Sequence, residues 1–153
     1  MIVVSDTSPL TALLTVGRTE LLAQLFGEVV VPEAVNRELL RSHSNMPDWL
    51  QVRALRDQTQ ARVYEVRVDR GEAEAIALAQ ELKADLLLMD ERKGRRLANE
   101  QGIQVMGLLG VILLAKRHGL IASAGALLNR LELEAGIYLG ETLKESALKT
   151  VGE

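Results

Sequence analysis

Four short apolar runs punctuate the chain: residues 2–4 (IVV), 29–31 (VVV), 86–89 (LLLM) and 105–106 (VM). None alternates with polar residues, so each reads as a strand buried on both faces, the condition of a parallel sheet covered by helices. Between these runs the apolar spacing becomes helical. Leu10, Leu13 and Leu14 share one stripe and Leu21, Leu22 and Leu25 another, with Gly17 between them, which predicts two short helices. Pro32 stands where a first helical turn tolerates it, ahead of a helix over residues 34–40. Gly71 opens a strong helix, EAEAIALAQELKA, and ERKGRRLANEQG forms the next, closed at Gly102 as by a C-terminal glycine cap. Residues 108–116 are apolar on most faces and read as a buried helix. From Ile121 onward the pattern is a helix, a turn at Gly136 and a last helix over residues 140–151. Residues 43–60 are the least regular, with Ser, Asn, Pro and Asp around Trp49 and Leu50. They read as a loop and short helix suited to a lid or a partner surface.

This strand and helix order predicts an α/β fold: a three-layer α/β/α sandwich with right-handed crossovers around a parallel sheet of four or five strands. The length of 153 residues suits one domain, with residues 136–153 as a C-terminal helical extension. The tail either packs on this domain or joins a partner.

Composition narrows the function classes. Hydrophobic residues make up 48% and charged residues 25%, which is ordinary for a folded domain and unlike a disordered chain. With no cysteine, disulfides, zinc thiolate sites and cysteine nucleophiles are excluded, in agreement with a reducing cytoplasm. No secretory pattern and no run near the ~20 apolar residues of a membrane span are present, so a cytoplasmic protein without membrane attachment is expected. The net charge of -3 supplies no global basic field. Nucleic-acid binding would therefore need a local patch or a metal.

In such sheets ligands bind beyond the carboxyl ends of the strands. Asp6 and Asp90 each lie just past a strand end, and Glu38 and Glu72 fall on helices able to reach the same edge. Clustered carboxylates repel unless a cation neutralises them, and an all-oxygen donor set suits Mg²⁺ or Mn²⁺. Such a metal holds phosphates and activates water for attack on a phosphodiester. Each acid also has a simpler reading. Asp6 before Thr7, Ser8 and Pro9 fits a helix N-cap, Asp90 fits a cap of ERKGRR, Glu72 complements a helix macrodipole, and Glu38 fits a solvated helix face. The basic residues Arg92, Lys93, Arg95 and Arg96 follow Asp90. Residues 92, 95 and 96 share a face able to track an RNA backbone or simply to meet water. His43 and His118 are isolated and carry no assigned role.

Taken in order, MIVVSDTSPLTAL, VVPEAVNREL, GEAEAIALA and LLLMDERKGRRLA resemble the PIN-domain ribonucleases, and within them the VapC-like branch of uncharacterised PIN proteins found beside small antitoxins. The resemblance spans roughly residues 1–135. It implies that Asp6, Glu38, Glu72 and Asp90 form a catalytic set binding one or two divalent metals, Mg²⁺ or Mn²⁺, although the third position is usually Asp. Glu74 and Glu91 are alternate metal ligands. Glu74 lies two residues too close to Asp90 for the family spacing and is expected to face solvent or to bond Arg70 or Lys93. Thr7 and Ser8 occupy positions where relatives place hydroxyls near the scissile phosphate, though both also suit the turn before Pro9. The implied activity is metal-dependent endoribonuclease cleavage of RNA by the toxin of a type II toxin-antitoxin pair. The implied partners are a small antitoxin and a second copy of the chain, for which residues 10–14 offer apolar surface. Three other readings make different demands on these positions. A haloacid dehalogenase-type phosphatase needs a second Asp where Ser8 stands. A receiver-like domain needs an acidic pair and a late Lys that are absent. A catalytically weak PIN-fold module binding RNA or protein retains this fold without the reaction.

Overall fold

The computed structural model describes all residues, Met1–Glu153. Three apolar runs become the centre of a sheet because their side chains are covered from both faces: β1 (Val3–Ser5), β2 (Val29–Val31) and β4 (Leu86–Leu88) are buried at every position. Two further strands flank them, β3 (Leu50–Val52) at one edge and β5 (Val105–Met106) at the other. All pairings are parallel, in the order β3-β2-β1-β4-β5. Val4 is in register with Val30 on one side and Leu87 on the other. The chain runs outward from β1 through β2 to β3, then returns to place β4 against the opposite flank of β1. The switch point is therefore between β1 and β4, where a crevice opens beyond the strand ends.

The remaining elements cover the sheet: α1 (Thr7–Thr15), α2 (Glu20–Phe26), α3 (Glu33–Ser42), α4 (Thr59–Tyr64), α5 (Arg70–Leu82), α6 (Arg92–Glu100), α7 (Leu108–Arg117), α8 (Ala124–Ala135) and α9 (Glu141–Lys149). The protein is thus the expected three-layer α/β domain, with five parallel strands. No helix is long and apolar enough to cross a membrane.

Central in this packing is α5. Every residue from Gly71 to Ala79 is buried, so the helix touches neighbours on all sides and not along one stripe. Its alanines keep the helix thin, which lets α3, α4 and the sheet approach it together. Glu74 is consequently not solvent-facing. It is 3% exposed, its Oε1 accepts from the Ala34 amide at 3.0 Å, and its Oε2 lies 3.4 Å from Arg70 Nε, with no bond to Lys93. The expected bond to Arg70 is therefore present, whereas the solvent-facing alternative fails because α5 is buried on all sides at this level.

Two further expectations need correction. Residues 43–60 are not a free lid, since they contribute β3, fixed to β2 by the Val29 amide on the Trp49 carbonyl and the Arg53 amide on the Val31 carbonyl. Residues 10–14 do not offer a broad apolar surface, because Leu10, Ala12 and Leu13 are buried in the domain's own core. The tail packs inward: Ala147 is buried, Leu148 and Val151 lie on the core, and Glu153 accepts from the Ala124 and Gly125 amides at the start of α8.

Candidate active site

The end of β1 delivers Asp6 directly into the crevice. Its amide donates to the Leu88 carbonyl at 2.9 Å, which joins the turn after β1 to β4. Asp6 stands at the N-cap of α1 in extended conformation, yet its side chain makes no capping hydrogen bond. The carboxylate is left for other work, although it is only 4% exposed.

Each of the other three acids is held by a hydrogen bond, Glu38 and Asp90 to other elements and Glu72 to the cap of its own helix. Thr7, the first residue of α1, donates its hydroxyl to Glu38 Oε2 at 2.8 Å, so α3 is tied across the crevice. Glu72 shares a capping box with Asp69: the Glu72 amide donates to Asp69 Oδ1 at 2.8 Å, and the Asp69 amide donates to Glu72 Oε1 at 3.2 Å. Asp90 does not cap the helix that follows it. Its Oδ1 accepts from the Leu108 amide at 2.7 Å, which ties the end of β4 to the first turn of α7, while Glu91 takes the N-cap position of α6 without a side-chain bond.

Room for these carboxylates comes from missing side chains. A Cβ on Gly71 would overlap Glu38 Oε1; one on Gly94 would overlap Met89 Sδ and stand 3.0 Å from Glu72 Oε2; one on Gly107 would stand 2.9 Å from Asp90 Oδ1. Three acids therefore rest against three glycines.

The electrostatics follow from burial and proximity. Burial pushes the Asp6 carboxyl up to about 7; the neighbouring Thr7 amide partly offsets this, and the charges of Asp69, Glu38 and Asp90 add to it. Glu72 is pushed up to about 8, first by burial and then by Asp69, with Asp6 contributing. Burial also raises Asp90, opposed by the Leu108 amide and the Arg95 guanidinium. These effects place Glu38, Glu72 and Asp90 each within electrostatic reach of Asp6.

Two buried oxygens, Glu72 Oε2 and Asp90 Oδ2, have no hydrogen-bond partner. A buried carboxylate oxygen without a donor is costly, and a cation relieves both that cost and the repulsion among the acids. The donor set, oxygen only, fits a hard divalent ion. The acids do not yet form a closed cage, since no group of three or more stands at metal-holding geometry. Thr7, Asp69 and the Leu108 amide each engage one acid in a hydrogen bond.

The basic residues separate by direction. Arg95 acts on Asp90 through its charge, whereas Arg96 turns toward Glu100 at 3.8 Å, where Arg67 also binds, and Arg92 and Lys93 are exposed. Ser8 is exposed and, with Asp90, Glu91 and Arg95, lines a groove of about 780 Å³ running between β5, α7 and the segment 136–143. Sequence reasoning missed Asp69, whose charge acts on both Asp6 and Glu72. Its spacing from Glu72, D-x-x-E before an apolar run, is a capping-box signature and was the available signal.

A parallel α/β domain with acids at the ends of its central strands has a nuclease-type fold. A family profile described as a PIN domain matches residues 2–153, nearly the whole chain and beyond the tail boundary expected at 135. The chain belongs to the PIN-domain family, whose members are generally nucleases. No curated protein matches it.

Proposed function

We propose that the protein is a divalent-metal-dependent endoribonuclease of the VapC-like branch, acting in the cytoplasm as the toxin of a type II toxin-antitoxin pair. The observation that carries the reading is the pair of buried, unpartnered oxygens on Glu72 and Asp90 beside the uncapped Asp6. Asp6 and Asp90 would hold Mg²⁺ or Mn²⁺ most directly, with Glu72 and Glu38 completing its surroundings. When bound, the ion supplies charge neutralisation at a phosphodiester and a more acidic water. Thr7 keeps Glu38 oriented, Arg95 steadies Asp90 and presents a cation to the RNA phosphate, and Ser8 lies at the mouth of the crevice. Glu91, exposed beside the groove, remains an alternate ligand; Glu74, committed to Ala34 and Arg70, does not. A small antitoxin and a second copy of the chain are the proposed protein partners.

The test is cleavage of a labelled structured RNA with Mn²⁺, Mg²⁺ or EDTA, comparing the wild type with Asp6→Asn and Asp90→Asn. Metal-dependent cutting lost in both variants is expected. Absence of cutting by folded protein free of co-purified antitoxin would favour the binding-module alternative.

A further inference from the structure

The groove beside the acids has an unusual wall. Residues 136–140 are irregular, and within them Ile137 and Leu139 pack on the core while Tyr138 is 89% exposed. Its neighbours on either side are anchored, so the ring is presented from a fixed backbone and not from a frayed end. The other three aromatics are committed elsewhere: Tyr64 is buried, and Phe26 and Trp49 pack on the core. Met106, Leu109 and Leu113 are among the apolar residues that line the groove, and Arg95 and Asp90 line it too.

A nucleotide has the same division of chemistry, with an apolar face on its base and a charge on its phosphate. We propose that this groove is a base site: with the scissile phosphate at Asp6 and Asp90, a flanking nucleobase stacks on Tyr138 over the Met106 and Leu109 floor while Arg95 meets the adjoining phosphate. The inference rests on the nuclease reading and names the side chain that would hold a base of its substrate. A base can enter only when it has left its neighbours, so the substrate is single-stranded or looped RNA and not a duplex. The presence of Asp90 and the exposed cation Arg95 in the groove's own lining favours RNA over an apolar protein segment.

The probes are a fluorescein-labelled eight-nucleotide single-stranded RNA, the same strand in a duplex, and a copy carrying abasic residues. Binding to the wild type, Tyr138→Phe and Tyr138→Ala is followed by anisotropy with EDTA and with Mg²⁺. Because Tyr138 is exposed, both variants should melt as the wild type does. Tyr138→Ala should weaken single-strand binding by about tenfold, the scale of losing one base–aromatic stack, and Tyr138→Phe by less than about twofold. The abasic strand should bind the wild type about as weakly as the intact strand binds Tyr138→Ala, and the two losses should not add. Tyr138→Ala binding the single strand like the wild type would overturn the inference and leave the groove to an apolar protein segment. Failure of the wild type to bind the single strand in either buffer, or equal binding of the duplex, would overturn it too. Cleavage with Mn²⁺ separates the two readings. Tyr138-dependent binding without cutting removes the nuclease reading alone; cutting by Tyr138→Ala with unchanged KM and kcat removes the base site alone.

Discussion

Replacing Asp6 by Asn should stabilise the metal-free protein. The Asp6 carboxyl moves from an ordinary 3.8 to about 7 on folding, chiefly because it is buried. At about 1.4 kcal/mol per pH unit, the ionised group is about 4 kcal/mol less favourable in the folded chain than in the unfolded one. The folded chain holds this proton more tightly, so the contribution is most favourable at low pH and falls as pH rises from about 4 to about 7. Asparagine removes the charge and keeps the shape, but burying its amide without full hydrogen bonding returns about 1–2 kcal/mol. A net gain of about 2–3 kcal/mol at pH 8.5 is left. At pH 5 the wild type carries the proton when folded, and the penalty itself shrinks to below about 2 kcal/mol, which the amide cost largely cancels. Urea unfolding in EDTA at both pH values reads these differences as midpoint shifts at constant slope. An Asp6→Asn protein no more stable than the wild type at pH 8.5, or a gain of equal size at pH 5, would refute the reasoning. Saturating Mg²⁺ or Mn²⁺ should reverse the order, because the cation favours the charge that asparagine lacks.

Glu74 should prove a structural residue. Glu74→Ala leaves the buried Ala34 amide without its acceptor and should cost about 1–3 kcal/mol in urea unfolding, whereas Glu74→Gln, which keeps an acceptor, should lose clearly less. Folded Glu74→Gln should retain metal-dependent cleavage, and its loss would return Glu74 to the ligand set. Glu153 is held at about 2 by the Gly125 and Ala124 amides, so its support of α8 is present above the ordinary carboxylate range and disappears as pH falls toward about 2. Glu153→Gln should speed amide exchange at Ala124 and Gly125 at neutral pH, and unchanged exchange there would contradict the capping role.

How much was legible before folding depended on what each residue touches. β1, β2 and β4 announced themselves because burial on both faces demands uninterrupted apolar residues. The edge strand β3 buries only Leu50, so LQV carried no such pattern and its segment passed for a loop. Asp6 and Asp90 were visible because a strand end in a parallel sheet fixes where a carboxylate must go. Glu72 and Glu74 sit two positions apart, some 200° around a helix, and only the complete burial of α5 shows that both lie inside with different tasks. The pairing of Asp90 with Leu108, and the overlap of Gly71 with Glu38, join residues far apart in the chain and leave no local trace.

Those glycines also separate two questions that mutagenesis of acids confounds. Exchanging a carboxylate for its amide asks whether a charge is needed, while leaving its position alone. Adding one methyl at Gly71, Gly94 or Gly107 asks the converse, since it crowds a chosen carboxylate and leaves every charge in place. The two series together form a grid, one axis electrostatic and the other steric, on which the contributions of Glu38, Glu72 and Asp90 can be located.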